Sequence, residues 1–196
     1  MNLMPFDEIN TFETMVRRYK NEPLTLFEKE KLRDDIEDYI EYLLFEAYTY
    51  GNVQAMQDLG LLDRDPNDLI DPNEMFETIN EPVAGKTYIV RIREYLDDED
   101  STEFDFDRVA ETEVTRVYNA GVENGGKNSG IPNVKKQWVT MEDDRVRDTH
   151  DYLEGMIVPV GSDFYTFDSD HAKAPGLFSL PENNCGCRCT LKLIRE

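Results

Sequence analysis

Positive charge is scarce in this 196-residue chain: 21 Lys and Arg stand against 42 Asp and Glu, a formal net charge of −21. Affinity for nucleic acid comes largely from Lys and Arg neutralising phosphates, so most of this surface would repel a polyanion and sequence-specific nucleic-acid binding is not expected. The deficit is uneven, with 31 acids and 13 bases in residues 1–128 but 11 acids and 8 bases in residues 129–196. Such an acidic face serves solubility or meets a basic partner. Long apolar runs are also missing. No segment reaches the ~18 consecutive apolar residues of a membrane span. Met1 to Lys20 mixes Asp7, Glu8 and Glu13 among its apolar positions, unlike an export leader. A soluble protein that is not exported is the expectation. Cysteine is rarer still: Cys185, Cys187 and Cys189 are the only three. An odd number of thiols so close together cannot staple distant segments, which argues against a secreted disulfide scaffold and for a reducing cytoplasm. What is present is enough for a packed core, with 39% apolar residues that include ten Tyr and ten Phe.

The first hundred residues read as helices. Thr25 followed by Glu28 has capping-box spacing, and Leu32, Ile36, Ile40, Leu43 and Ala47 then form one apolar stripe flanked by acids. Asp71 before Pro72 is a second start signal, and Thr87 to Leu96 reads as a further helix. Asp97 to Asp100 should end it as a solvated loop. From Phe106 a helix carries Val109, Ala110, Val114, Val117 and Tyr118, and Asn119-Ala120-Gly121 predicts its stop. Gly121 to Gly130 then reads as a loop. Its Gly126-Lys127-Asn128 imitates a phosphate-binding loop, but Asn replaces the required Ser or Thr and no apolar strand precedes it.

Beyond that loop the rare side chains gather: Trp138, His150, His171 and all three cysteines. Thr140 and Asp143 predict a helix running to Gly155, with Val146, His150 and Leu153 inward and Asp143 paired to Arg147. Met156 to Val160 and Phe164 to Phe167 read as a hairpin, and Cys187 to Ile194 as a closing strand. On that strand Cys187, Cys189, Leu191 and Leu193 share a face, and Arg188, Thr190 and Lys192 share the other. A disulfide between Cys187 and Cys189 is awkward, because an extended chain separates their Cα atoms by roughly 6.6–7 Å. The thiols can therefore be small core groups, nucleophilic or redox groups, or ligands of a zinc site made by His150, Cys187 and Cys189 with Cys185 or His171 as the fourth. Against zinc stands the one-residue spacing, since structural pairs are commonly Cys-x2-4-Cys. An acid/base pair of His150 with Asp144 or Asp148 is the catalytic reading, and an ion-paired helix surface is the plain one. No Ser or Cys nucleophile motif occurs in its usual context.

Taken in order, Lys135-Lys136-Gln137-Trp138, Asp144 to His150, Gly155, Phe164, Pro175-Gly176 and Cys187-Arg188-Cys189-Thr190-Leu191 resemble the C-terminal signature of the phage Mu F-like minor head proteins. Arg108 to Glu113 resembles an upstream helix of that family, Asn119 fits an Asn that follows it, and Gly85 to Ile92 is a weaker match. Gly186 stands where the family has Asn, and Cys185 is an addition. The resemblance spans residues 85–196 and implies Trp138, Asp144, Arg147, His150, Cys187, Arg188 and Cys189 as signature positions. Joined to the helices and strands read above, it gives the expectation of an α+β fold, with an acidic helical region over 1–105, a helix and Gly-rich loop over 106–130, and a small domain with short antiparallel strands over 131–196. The resemblance further implies a minor head component rather than an enzyme, which partners the portal and other head proteins and acts in head morphogenesis and DNA delivery. Such a protein belongs in the virion, and in the bacterial host cytoplasm during assembly. The alternatives are a zinc-dependent enzyme of toxin or nuclease type using His150 and the cysteines, and a plain interaction module.

Overall fold

The computed structural model describes residues 6–83 and 85–195. Residues 1–5, part of the segment read as lacking an export leader, lie outside the described residues. Helix α1 (Phe6–Asn21) buries Phe12, Val16 and Tyr19 on one face. Helix α2 (Leu26–Leu59) starts where Thr25 and Glu28 cap each other: the Thr25 N–H donates to the Glu28 carboxylate at 2.9 Å and the Glu28 N–H to the Thr25 hydroxyl at 3.3 Å. Its expected apolar stripe is buried, and Gly60 ends it in the left-handed conformation. Helix α3 (Pro72–Asn80) starts at Asp71, whose carboxylate accepts the Asn73 N–H at 2.8 Å, and α4 (Tyr88–Asp97) follows where expected.

Helix α5 (Glu103–Asn128) corrects the sequence reading. It runs through Gly121 to Asn128 where a loop over Gly121 to Gly130 was expected, and the left-handed glycine beyond its end is Gly130, at φ 71°. The reason is tertiary. A Cβ on Gly121 would strike the Tyr48 carbonyl of α2, one on Gly51 the Tyr118 carbonyl of α5, and one on Gly125 the Ala55 methyl at 2.7 Å. These glycines are spent on backbone-to-backbone approach of the two central helices. Glycine costs about 1 kcal/mol in a helix interior, and the close crossing offsets that cost.

Strand β1 (Lys135–Val139) is the centre of a three-stranded antiparallel sheet, with β2 (Ile157–Pro159) on one side and β5 (Thr190–Ile194) on the other. Lys136 faces Val158 and Leu193, and Trp138 faces Leu191. The expected hairpin does not form, because β2 is taken by β1 while β3 (Phe164–Tyr165) pairs instead with β4 (His171–Ala172). The expected helix over 140–155 shrinks to the single turn α6 (Asp148–Asp151). Glu142 sits at φ 52°, and Asp143 turns toward Arg188 instead of Arg147. A last turn, α7 (Pro181–Asn184), precedes β5, which starts at Thr190 and not at Cys187. The α+β class holds, and one continuous core runs from Phe12 of α1 to Leu193 of β5.

Candidate functional site

The site forms where the α6 turn meets the segment entering β5. Cys187 and Cys189 point to one side of an extended chain, as alternate residues must, and both are buried together with His150. His150 Nδ1 lies 3.6 Å from Cys187 Sγ and 3.5 Å from Cys189 Sγ. The ring is held by packing: Phe178 stacks on it at 5.4 Å and Trp138 meets it edge-on at 5.4 Å. Its Nε2 is buried without a hydrogen-bond partner among the described residues.

The two thiols titrate as a pair. A hydrogen bond from Cys189 holds the Cys187 thiol well below its ordinary value against burial, with further help from His150, whereas Cys187 and burial push the Cys189 thiol up. One thiolate is thus favoured and the second resisted.

The backbone that carries the thiols is clamped from three sides. Asn119 on α5 donates to the Cys189 carbonyl at 3.0 Å and accepts the Leu191 N–H at 3.0 Å. Gly186 donates its N–H to the Thr112 hydroxyl at 3.1 Å. It takes φ 64°, a conformation open to glycine and to asparagine, so glycine in a place where the resemblance has Asn preserves the corner. Arg188, between the thiols, turns outward and donates to both Asp143 carboxylate oxygens at 2.8 and 2.6 Å. That bidentate pair holds the Asp143 carboxyl down at about 2.

Of the residues singled out from the sequence, Trp138, His150, Cys187 and Cys189 converge, and Arg188 and Arg147 brace them, the latter by donating to the Cys185 carbonyl. Asp144 and Asp148 are exposed and Nδ1 faces sulfur, so the structure does not assemble the acid/base pair. Cys185 is exposed and His171 is bound to Asp163 at 2.8 Å, so neither joins the cluster.

Sequence reasoning missed the buried polar groups that frame this site. Glu113 lies between Arg91 and Arg116, and Arg116 donates to the Thr78 carbonyl at 2.7 Å and the Ile79 carbonyl at 3.0 Å, closing the free end of α3. Only the three-residue spacing of Glu113 and Arg116 hinted at this. Lys136, fully buried, pairs with Glu123 at 2.9 Å and donates to the Lys173 carbonyl at 2.7 Å. Burial pushes the Lys136 ammonium below its ordinary value, and Glu123 opposes the shift. Asp170 accepts from the backbone N–H groups of His171, Ser179 and Leu180, from the Ser179 hydroxyl at 2.6 Å and from Asn183 at 3.0 Å. Nothing in the spacing of these residues signals so dense a hub.

Residues 77–192 match the family described as phage Mu protein F like protein. The chain is 29% identical over 154 residues to a protein of Enterococcus faecalis named NAD(+)–arginine ADP-ribosyltransferase EFV, covering 62% of this chain and 31% of that one. It is 32% identical over 83 residues to the minor head protein GP7 of Bacillus phage SPP1, covering 42% of this chain and 27% of that protein. The chain therefore spans about a third or less of the length of these curated relatives. No solved structure matches.

Proposed function

This chain belongs to the phage Mu protein F like family, and from that premise we propose that it is a minor head protein of a tailed phage or prophage, acting in head morphogenesis. The observation that carries this reading is the use to which the family-matched residues are put. Trp138, His150, Cys187 and Cys189 are in the core, Arg188 is tied to Asp143, and Glu113 and Arg116 are tied to one another. Within the match, the conspicuous polar groups hold the fold closed. The named head protein among the relatives supports the same role. At the finer level, the proposed partners are the portal and other head proteins, the proposed contact is the acidic helical region, and the proposed locations are the virion and, during assembly, the host cytoplasm. DNA delivery then follows from position in the head rather than from binding to bases, in keeping with the net charge of −21.

Mass spectrometry of purified particles from the source phage or induced prophage is the test. The chain should be present at substoichiometric level to the major shell protein, and its absence would overturn the proposal. A transferase reading rests on the other relative, of which the chain covers 31%. The expected result is no turnover when the purified chain is incubated with NAD+ and an arginine-rich acceptor; hydrolysis or transfer would replace the structural reading.

A further inference from the structure

We infer that His150 Nδ1, Cys187 Sγ and Cys189 Sγ form a zinc site whose fourth position is open to water. The distances make the first case. With Zn–S near 2.3 Å and Zn–N near 2.0–2.1 Å, a tetrahedral ion sets its sulfur and nitrogen ligands roughly 3.5–3.6 Å apart. The two N···S separations here are 3.6 and 3.5 Å, and all three ligand atoms lie within 4.8 Å of one another. Hydrogen bonding alone can be met through a single sulfur and does not require both sulfurs to stand at a zinc-ligand separation from one nitrogen.

Burial makes the second case. All three ligands are buried, where two isolated thiolates would be costly. A zinc dication with two thiolates and a neutral imidazole carries no net charge, so the set can stay buried. Binding displaces the thiol protons that remain to solvent, so that both sulfurs coordinate as thiolates. Soft sulfur and imidazole donors select zinc over magnesium or calcium.

The third case is the support around the ligands. The Asn119 clamp, the Gly186 turn and the Asp143–Arg188 pair fix the two sulfurs before any ion arrives. Among the described residues no further Cys, His, Asp or Glu joins the three. Beside them lies a cavity of about 10 Å³ lined by His150, Cys189, Val146, Arg147, Gly186 and Arg188. That is on the order of the space one water requires.

The experiment uses the full chain purified under reducing conditions. Its metal content is measured by inductively coupled plasma mass spectrometry as purified, and again after chelation and readdition of zinc chloride. One zinc per chain is expected, lost in Cys187→Ser and Cys189→Ser but kept in Cys185→Ser and His171→Ala. If the cluster variants do not fold, cobalt chloride added to the chelated wild-type chain still decides the matter. Charge-transfer absorption of two thiolates in a tetrahedral d–d spectrum supports the site. Failure to take up zinc, or a cobalt spectrum without thiolate bands, overturns it.

Discussion

Asp143 accepts both terminal nitrogens of Arg188, and through that pair the residue between the two thiols is turned away from them. Its carboxyl sits at about 2 against an ordinary 3.8, chiefly through those hydrogen bonds. A depressed carboxylate contributes stability that is present above its unfolded value and fades as pH falls through its folded one. Thermal unfolding of the wild type and Asp143→Asn should therefore differ at neutral pH and converge as pH falls from about 3.8 toward about 2. Asp170 offers a harsher change. It is 4% exposed and gathers five donors, which Asp170→Ala would strand together, at a cost of roughly 3 kcal/mol measurable by chemical denaturation. The members of the candidate site were legible from residue identity, since histidine and cysteine are rare in this chain and His150, Cys187 and Cys189 do meet. The hubs at Asp170 and Glu113 were not. Asp and Glu are among the most numerous residues of this chain, and nothing local distinguishes a buried acid from a solvated one.

The elements divide the same way. Caps and stripes are local, which is why the starts at Thr25 and Asp71 and the face Leu32, Ile36, Ile40, Leu43 could be read directly. Gly121 misled, because a glycine within a helical pattern signals a stop when read alone and a close crossing when a second helix lies against it. The two readings predict opposite results. In a loop, Gly121→Ala would be neutral or mildly stabilising. In the observed crossing its Cβ would strike the Tyr48 carbonyl, so the variant should lose about 1–3 kcal/mol even though alanine favours helix. Gly51→Ala should do the same from the other side. Thr140 and Asp143 imitated a helix start for a related reason: Thr140 donates its N–H to Glu154 and Asp143 binds Arg188, so both residues serve tertiary partners.

At the scale of the molecule the acidic excess dominates. A net charge of −21 on 196 residues repels itself, and screening relieves that repulsion. The melting temperature should rise between low and physiological ionic strength, and a flat response would mean that the ion pairs already made balance the field. Among the described residues no helix is long and apolar enough to cross a membrane, in line with the absence of long apolar runs. Composition, the capped amphipathic helices, the alternation of Cys187, Cys189, Leu191 and Leu193 and the order of the family signature were determined by sequence alone, because each depends on neighbours within a few residues or on residue identity. The crossing of α2 and α5 at paired glycines, the partners of β1 and the burial of Glu113, Lys136 and Asp170 were decided only by the tertiary structure. So was the meeting of His150 with two sulfurs some forty positions away. Each of these depends on segments that touch only after the chain has folded, and no local pattern records which distant segment will arrive.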